Sequence, residues 1–313
     1  MRYVNNSLWQ PLVFKTVRGM KHPNKIKKLY ALGWACLWCG AVFAQTTIHI
    51  MPAELANERM PRPVGYDTVD VTRLKFVYEQ TEVDTLLSRS ETVPCMLHVG
   101  ERYTHYEDYR RFQQDSVCQT LNWEITYGKS EEVYNMYPSD MRWDCLYDMR
   151  DGRYRVNDAY SFDLYTYEDS TAQFDWTLQP DTVTVCGYVC RKAEATFRGI
   201  RWTAWYAPDI PIPAGPWKLN GLPGLILWAY DDKGTHDMKL TAVQKAKGEV
   251  INFHVGKRFR MKRERVLSLL KRYTSGSSPY ESMSGFGVTY TDEHGNPIER
   301  PRQREFYVPY ELE

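Results

Sequence analysis

Six histidines follow residue 44, at His49, His98, His105, His236, His254 and His294, and no two stand at a metal-ligand spacing. The chain has no Gly-x-Ser-x-Gly elbow, no His-Glu-x-x-His pair and no glycine-rich phosphate loop. Neither a metal nor a cofactor is expected. Thiols are available at Cys95, Cys118, Cys145, Cys186 and Cys190, enough for two disulfides with one left over. In one straight strand Cys186 and Cys190 would stand about 13 Å apart, so they could pair only if Gly187 turns the chain. Asp209 sits in a proline-rich stretch, where an Asp more often binds nearby backbone amides than acts as an acid. A hydrolase therefore stands only as an alternative. It would need the fold to bring a Ser or Cys within hydrogen-bond reach of a His held by an Asp or Glu. Aromatic chemistry is the stronger signal: Trp202, Trp205, Trp217 and Trp228 fall within 27 residues.

Period-two alternation dominates the elements that must carry these groups. Leu74, Phe76 and Tyr78 point one way and Lys75, Val77 and Glu79 the other, as in a half-buried strand. Cys95, Leu97 and Val99 alternate likewise, as do Tyr160, Phe162 and Leu164, and then Val183 and Val185. Asp151-Gly152 marks a hairpin, Gly199 separates two more strands, and Asp231-Asp232-Lys233-Gly234 a further two. The expected fold is mainly β (α+β): a curved antiparallel sheet or half-barrel of meandering strands, with one or two helices packed on it. Tyr106–Gln119 and Met261–Tyr273 read as those helices, the second with Val266, Leu269, Leu270 and Tyr273 on one face.

The net charge of +1, from 40 Lys+Arg and 39 Asp+Glu, argues against a nucleic-acid partner. It is a sum of unlike pieces. Residues 1–44 contain seven basic residues and no acid. In that segment Lys27-Lys28 precedes an apolar run from Leu29 to Trp38 and a small-residue exit at Ala41-Val42-Phe43-Ala44. A basic head, a short apolar run and a small-residue exit make a signal peptide cleaved near Ala44-Gln45, with residues 1–19 as a possible upstream extension. The run is shorter than the roughly 20 residues that span a bilayer, and no later segment is long enough. Removal of residues 1–44 leaves 33 basic against 39 acidic residues, a mature charge of −6. Residues 45–313 are expected to form one domain in the periplasm or cell envelope. Residues 257–272 hold eight basic residues and one acid. Lys257, Arg258, Arg260, Lys262 and Arg263 are therefore candidates for peripheral contact with anionic lipid headgroups.

A strand ending at Tyr206 runs into an 18-residue connection, 207–224, containing five prolines. That is long for a compact domain, and the prolines lower the entropy cost of ordering it. Pro223-Gly224 suits the centre of a type II turn leading into Leu225-Ile226-Leu227. The stretch Gly221-Leu222-Pro223-Gly224-Leu225-Ile226 resembles the signature of the GLPGLI family of exported proteins from the Bacteroidetes group. Gly187-Tyr188-Val189-Cys190-Arg191-Lys192-Ala193 is similar to that family's Gly-Tyr-x-Cys-x-Lys-Ala element. Trp205-Tyr206, Ile210-Pro211 and Gly215-Pro216 are similar to its Trp-Tyr, Ile-Pro and Gly-Pro steps. Val308-Pro309-Tyr310-Glu311-Leu312 partly keeps its Asn-Pro-Ile-Glu-Leu ending. The resemblance is dense from about Trp176 to Val243. It implies export and a β-rich fold, and it assigns no chemistry to any residue.

The expected function is a non-catalytic envelope module that binds a hydrophobic ligand or an envelope protein. Trp205, Tyr206, Trp217, Leu222 and Trp228 are its candidate contact residues. A carrier predicts an apolar pocket lined by Trp205, Trp217 or Trp228. A filled interior would leave partner binding or a structural role.

Overall fold

The structure is a computed structural model that describes residues 17–18, 56–59, 66–122, 124–139, 141–160, 163–170, 173–254, 258–276, 283, 287–288, 290–291, 297–298 and 304–312. Apart from Val17–Arg18, the expected signal peptide lies outside the described residues, as does Lys257. In chain order the first elements are β1 (Val17–Arg18), β2 (Tyr66–Val71), β3 (Leu74–Asp84), β4 (Arg89–Val99) and β5 (Tyr103–Asp108). Helices α1 (Tyr109–Thr120) and α2 (Tyr127–Met136) come next, followed by β6 (Asp144–Asp148), β7 (Arg153–Tyr160) and β8 (Asp163–Asp169). The chain continues through β9 (Thr177–Val185), β10 (Tyr188–Phe197), β11 (Ile200–Ala207), β12 (Leu225–Asp231) and β13 (His236–Lys245). It then forms β14 (Val250–His254), β15 (Phe259–Arg260) and helix α3 (Arg263–Thr274). The short strands β16 (Gly287–Val288), β17 (Tyr290–Thr291) and β18 (Pro297–Ile298) follow.

Twelve strands make one open sheet in the order β15-β8-β7-β6-β5-β4-β3-β13-β12-β11-β10-β9. It is two meanders, β3–β8 and β9–β13, joined where the last strand of the second pairs with the first strand of the first. Leu240 lies opposite Tyr78 in that seam. Every pairing in the sheet is antiparallel except β15 with β8, so the antiparallel expectation holds for all but one edge. Among the described residues the helix count is three, one more than expected: Thr126 caps α2 by accepting from the Lys129 amide at 3.2 Å. Tyr160 ends β7 and Leu164 lies in the antiparallel β8, so the alternation read across them spans two strands, and Phe162 lies outside the described residues.

The sheet curls. Tyr154, Val156, Tyr165 and Tyr167 from one arm share a core cluster with Phe197, Trp202, Ala229 and Met238 from the other. Three register shifts, at Arg191/Ala193 in β10, Trp205/Tyr206 in β11 and Leu240/Ala242 in β13, lie in the second meander. Bulges bend the strands that contain them. The inner face is covered by the apolar side of α3 (Val266, Leu269, Leu270 and Tyr273), the connection after β11 and the segment 304–312. The outer face of β4–β7 is covered by the β2–β14 ribbon, whose Ile251 and Phe253 pack on Leu146, and by Phe112 of α1 against His98. No helix among the described residues is long and apolar enough to cross a membrane.

Candidate functional site

The connection after β11 folds back on the strand it leads to. The Leu225 amide donates to the Ile210 carbonyl at 2.8 Å, and the Ile226 amide donates to Ala214 at 3.0 Å. Gly224 is needed for close approach and not for a type II turn. A Cβ there would lie 2.2 Å from the Ala207 carbonyl oxygen, and its φ is not among the positive ones. Two residues of the connection have positive φ, Trp217 at +52° and Gly221 at +87°, and only Trp217 carries a side chain. The reversal at Trp217 sends that residue, Lys218 and Leu219 into the core together.

Lys218 is 0% exposed. Its ammonium donates to Asp169 Oδ2 at 2.8 Å and to Glu311 Oε1, and it lies 5.1 Å from the Tyr167 ring centroid and 5.5 Å from that of Trp217. The Lys218 carbonyl accepts from the Tyr154 hydroxyl at 3.0 Å. Arg198, in the β10–β11 turn, forks onto Asp169 at 2.7 and 2.8 Å and reaches Glu311 at 2.7 Å. Arg263, at the start of α3, also binds Glu311. Burial alone would push the Asp169 and Glu311 carboxyls up. Arg198 and Lys218 around Asp169, and all three cations around Glu311, outweigh it and hold both below the usual carboxylate range.

Glu311 belongs to residues 304–312, an extended segment laid in the groove. Arg304 donates to Asp84 Oδ2 at 2.9 Å, and the Glu305 amide donates to the Thr274 carbonyl at 2.7 Å. His236 Nε2 lies 3.1 Å from the Pro309 carbonyl, an acceptor only, so that nitrogen is assigned the proton. Burial pushes the imidazole down to about 4, so it is neutral. Tyr310 is 9% exposed, with its ring 3.9 Å from His236, 5.0 Å from Trp217 and 5.3 Å from Trp143. Its hydroxyl donates to Glu82 Oε1 at 2.6 Å. Burial pushes Glu82 up to about 7 and Asp158 up to about 6, with Arg142 opposing both shifts. The Leu312 amide donates to the Arg198 carbonyl at 2.9 Å, and its side chain rests where Gly199 lacks a Cβ.

The five apolar candidates do not share a surface. Tyr206, Trp217 and Leu222 are buried in the inner core. Trp205 and Trp228 face the other way and stack on each other at 6.2 Å, with Lys239 4.4 Å over Trp228. The basic run is also divided: Arg263 is buried, Arg260 pairs with Glu168, Arg258 is half-buried and Lys262 is exposed. Asp209 is exposed. Gly187 does turn the chain, yet all five described cysteines are free thiols. Burial pushes Cys190 up to about 11, which leaves it unreactive. The sequence reading assigned no role to Lys218, Asp169, Arg198 or Glu311. The available signal was a lysine set between Trp217 and Leu219 in an otherwise apolar stretch.

On the outer face, Thr72 Oγ1 lies 3.2 Å from His98 Nδ1, and His98 Nε2 lies 3.4 Å from Glu107 Oε1. This resembles a catalytic relay in outline, but all three residues are buried and the hydroxyl is a threonine's. His105 bridges Glu107 at 3.4 Å and Asp144 at 3.2 Å. Burial alone would lower the His105 pKa, and the two carboxylates raise it to about 10. Among the described residues, no group of three or more His, Cys, Asp or Glu is arranged to hold a metal ion.

Residues 198–228 match a family described as "Protein of unknown function (Porph_ging)". The match covers the β10–β11 turn, β11, the connection and the first part of β12. No curated protein matches the chain. Two solved structures of PNGF-II, in C2 and P21 space groups, are similar at 13% identity and a TM-score of 0.44, over 64% of this chain. The alignments cover 32% and 33% of those chains, so this chain spans about a third of their length.

Proposed function

We propose that this is an exported cell-envelope protein acting as a non-catalytic recognition module, whose groove holds an extended segment of an envelope partner. One observation carries the reading: the groove is already occupied by an extended segment, residues 304–312. That segment is held through its backbone at Leu312, Pro309 and Glu305 and through its side chains at Arg304, Tyr310 and Glu311. Such a division between main-chain and pocket contacts is how sheets and grooves bind peptides. Of the tryptophans expected to line a carrier's pocket, Trp217 has Tyr310 packed against it, and Trp205 and Trp228 stack on each other. The exposed Arg265, Lys271 and Arg272 on α3 support peripheral contact with anionic headgroups.

Two measurements on the purified mature protein test this. Organic extraction and mass spectrometry should recover no lipid at one equivalent per chain. A fluorescent peptide of sequence 304–312 should bind saturably, and more tightly when Glu311→Gln in the protein weakens the resident segment. A stoichiometric lipid, or no saturable binding to either protein, would overturn the reading.

A further inference from the structure

The proposed partner's chemistry can be narrowed by the way the groove seats its resident segment, a step that rests on the segment-binding reading above. Three consecutive residues enter three adjacent and chemically different pockets. Tyr310 enters an aromatic box of Trp143, Trp202, Trp217 and His236 and places its hydroxyl on Glu82. The Glu311 carboxylate meets Lys218, Arg198 and Arg263, each from a different element. Leu312 lies on Gly199, where a Cβ would come within 3.1 Å of its own Cβ. Leu312 is 51% exposed, so the third pocket opens outward and the first two are closed.

We infer that the groove is specific for partner segments with a phenol-bearing aromatic, an acid and an aliphatic residue in consecutive order, and that residues 310–312 compete in cis for the same pockets. Each position has its own physical filter. A phenylalanine in the first pocket leaves Glu82 without the hydroxyl it accepts from. An amide in the second leaves the buried Lys218 and Arg263 and the half-buried Arg198 sharing Asp169, with a neutral group in place of the second carboxylate. A large or charged side chain in the third meets the Arg198–Gly199 turn. Extended backbone is required because the carbonyl before the aromatic accepts from His236 and the amide after the acid donates to Arg198. The resident segment has an effective concentration on the order of millimolar. Added peptide therefore sees only the fraction of grooves whose segment is out.

The test uses the full chain carrying Leu312→Ser, which loosens the resident segment at its exposed end, with Glu311→Gln as a second receptor in case the first binds too weakly to measure. Fluorescence anisotropy would compare the 304–312 peptide with three relatives: Glu311→Gln, Tyr310→Phe and one with residues 310–312 permuted to Glu-Leu-Tyr. The unaltered peptide should bind best. The Glu311→Gln and permuted peptides should lose about thirtyfold or more, the scale of an unpaired buried charge at an interface, and the phenylalanine peptide several-fold. Either receptor should bind the unaltered peptide more tightly than the wild-type chain does. Equal binding of all four peptides would overturn the order rule while leaving segment binding in place. If no peptide binds any of the three proteins, both readings fall.

Discussion

Lys218 illustrates why a buried ion can be retained in a core that would pack more simply without it. Its ammonium, Asp169, Glu311, Arg198 and Arg263 satisfy one another, and removing a single member leaves the others charged in a low-dielectric site. Lys218→Met should therefore cost about 3–5 kcal/mol, measured by urea unfolding. An unchanged midpoint would show that the network is not a unit. Glu82 and His105 make predictions of the same sign in pH, over different windows. Burial raises the Glu82 carboxyl from its ordinary 4.5 to about 7 in the folded chain. The folded state therefore holds the proton more tightly, and the Glu82 contribution to stability falls as pH rises through that window. Glu82→Gln should flatten the slope and stabilise the protein at pH 8. His105 rises from 6.5 to about 10, so its contribution is complete below pH 6.5 and is lost as pH climbs toward 10. His105→Gln should remove the part of the alkaline decline that lies in that interval.

At the scale of elements, the connection 207–224 is packed into the core, with Ala214, Trp217, Lys218, Leu219 and Leu222 all buried. Its glycines serve contact more than turning. Gly224 lies so close to Ala207 that Gly224→Ala would force apart the two strand ends the connection joins. The expected loss is about 1–3 kcal/mol, the range of overpacked cores, with no loss of secondary structure by circular dichroism. The proline and tryptophan density in the sequence suggests a connection laid against apolar surface, and Trp217, Leu219 and Leu222 lie in the core. Where the loop goes could not be read, because the inward turn depends on Trp217 adopting φ +52°, a state no local pattern favours for tryptophan. Helix α3 shows the same division. Its apolar face is plain in the spacing of Val266, Leu269, Leu270 and Tyr273. Its basic face reads as uniform, yet Arg263 turns inward to meet Glu311, an acid 48 residues away.

For the whole molecule, the segment 304–312 runs across the inside of the curled sheet. It touches Asp84 on β3, His236 on β13, Arg198 between β10 and β11, and Arg263 on α3. Its amides should exchange with solvent more slowly than an unattached segment and faster than the core of β11, and the loosened Leu312→Ser chain should widen that gap. A segment amide as protected as Trp202 would show that the groove never opens under native conditions.

By itself, the sequence determined the strands. Alternation, the Asp151-Gly152 and Gly199 turns and the α3 stripe are local consequences of backbone geometry and side-chain polarity, and the sheet forms where they say except at Tyr106–Asp108, expected in a helix and found in β5, and at Tyr160 and Leu164, which lie in two strands. Tertiary structure alone decided which residues form the site. Lys218 lies 49 residues from Asp169 and 93 from Glu311, and nothing in spacing, propensity or charge count along the chain links them. Their meeting follows from the curl of the sheet, which depends on three strand bulges and on β13 choosing β3 as its neighbour. Those choices come from long-range packing, and a one-dimensional pattern carries no information about them.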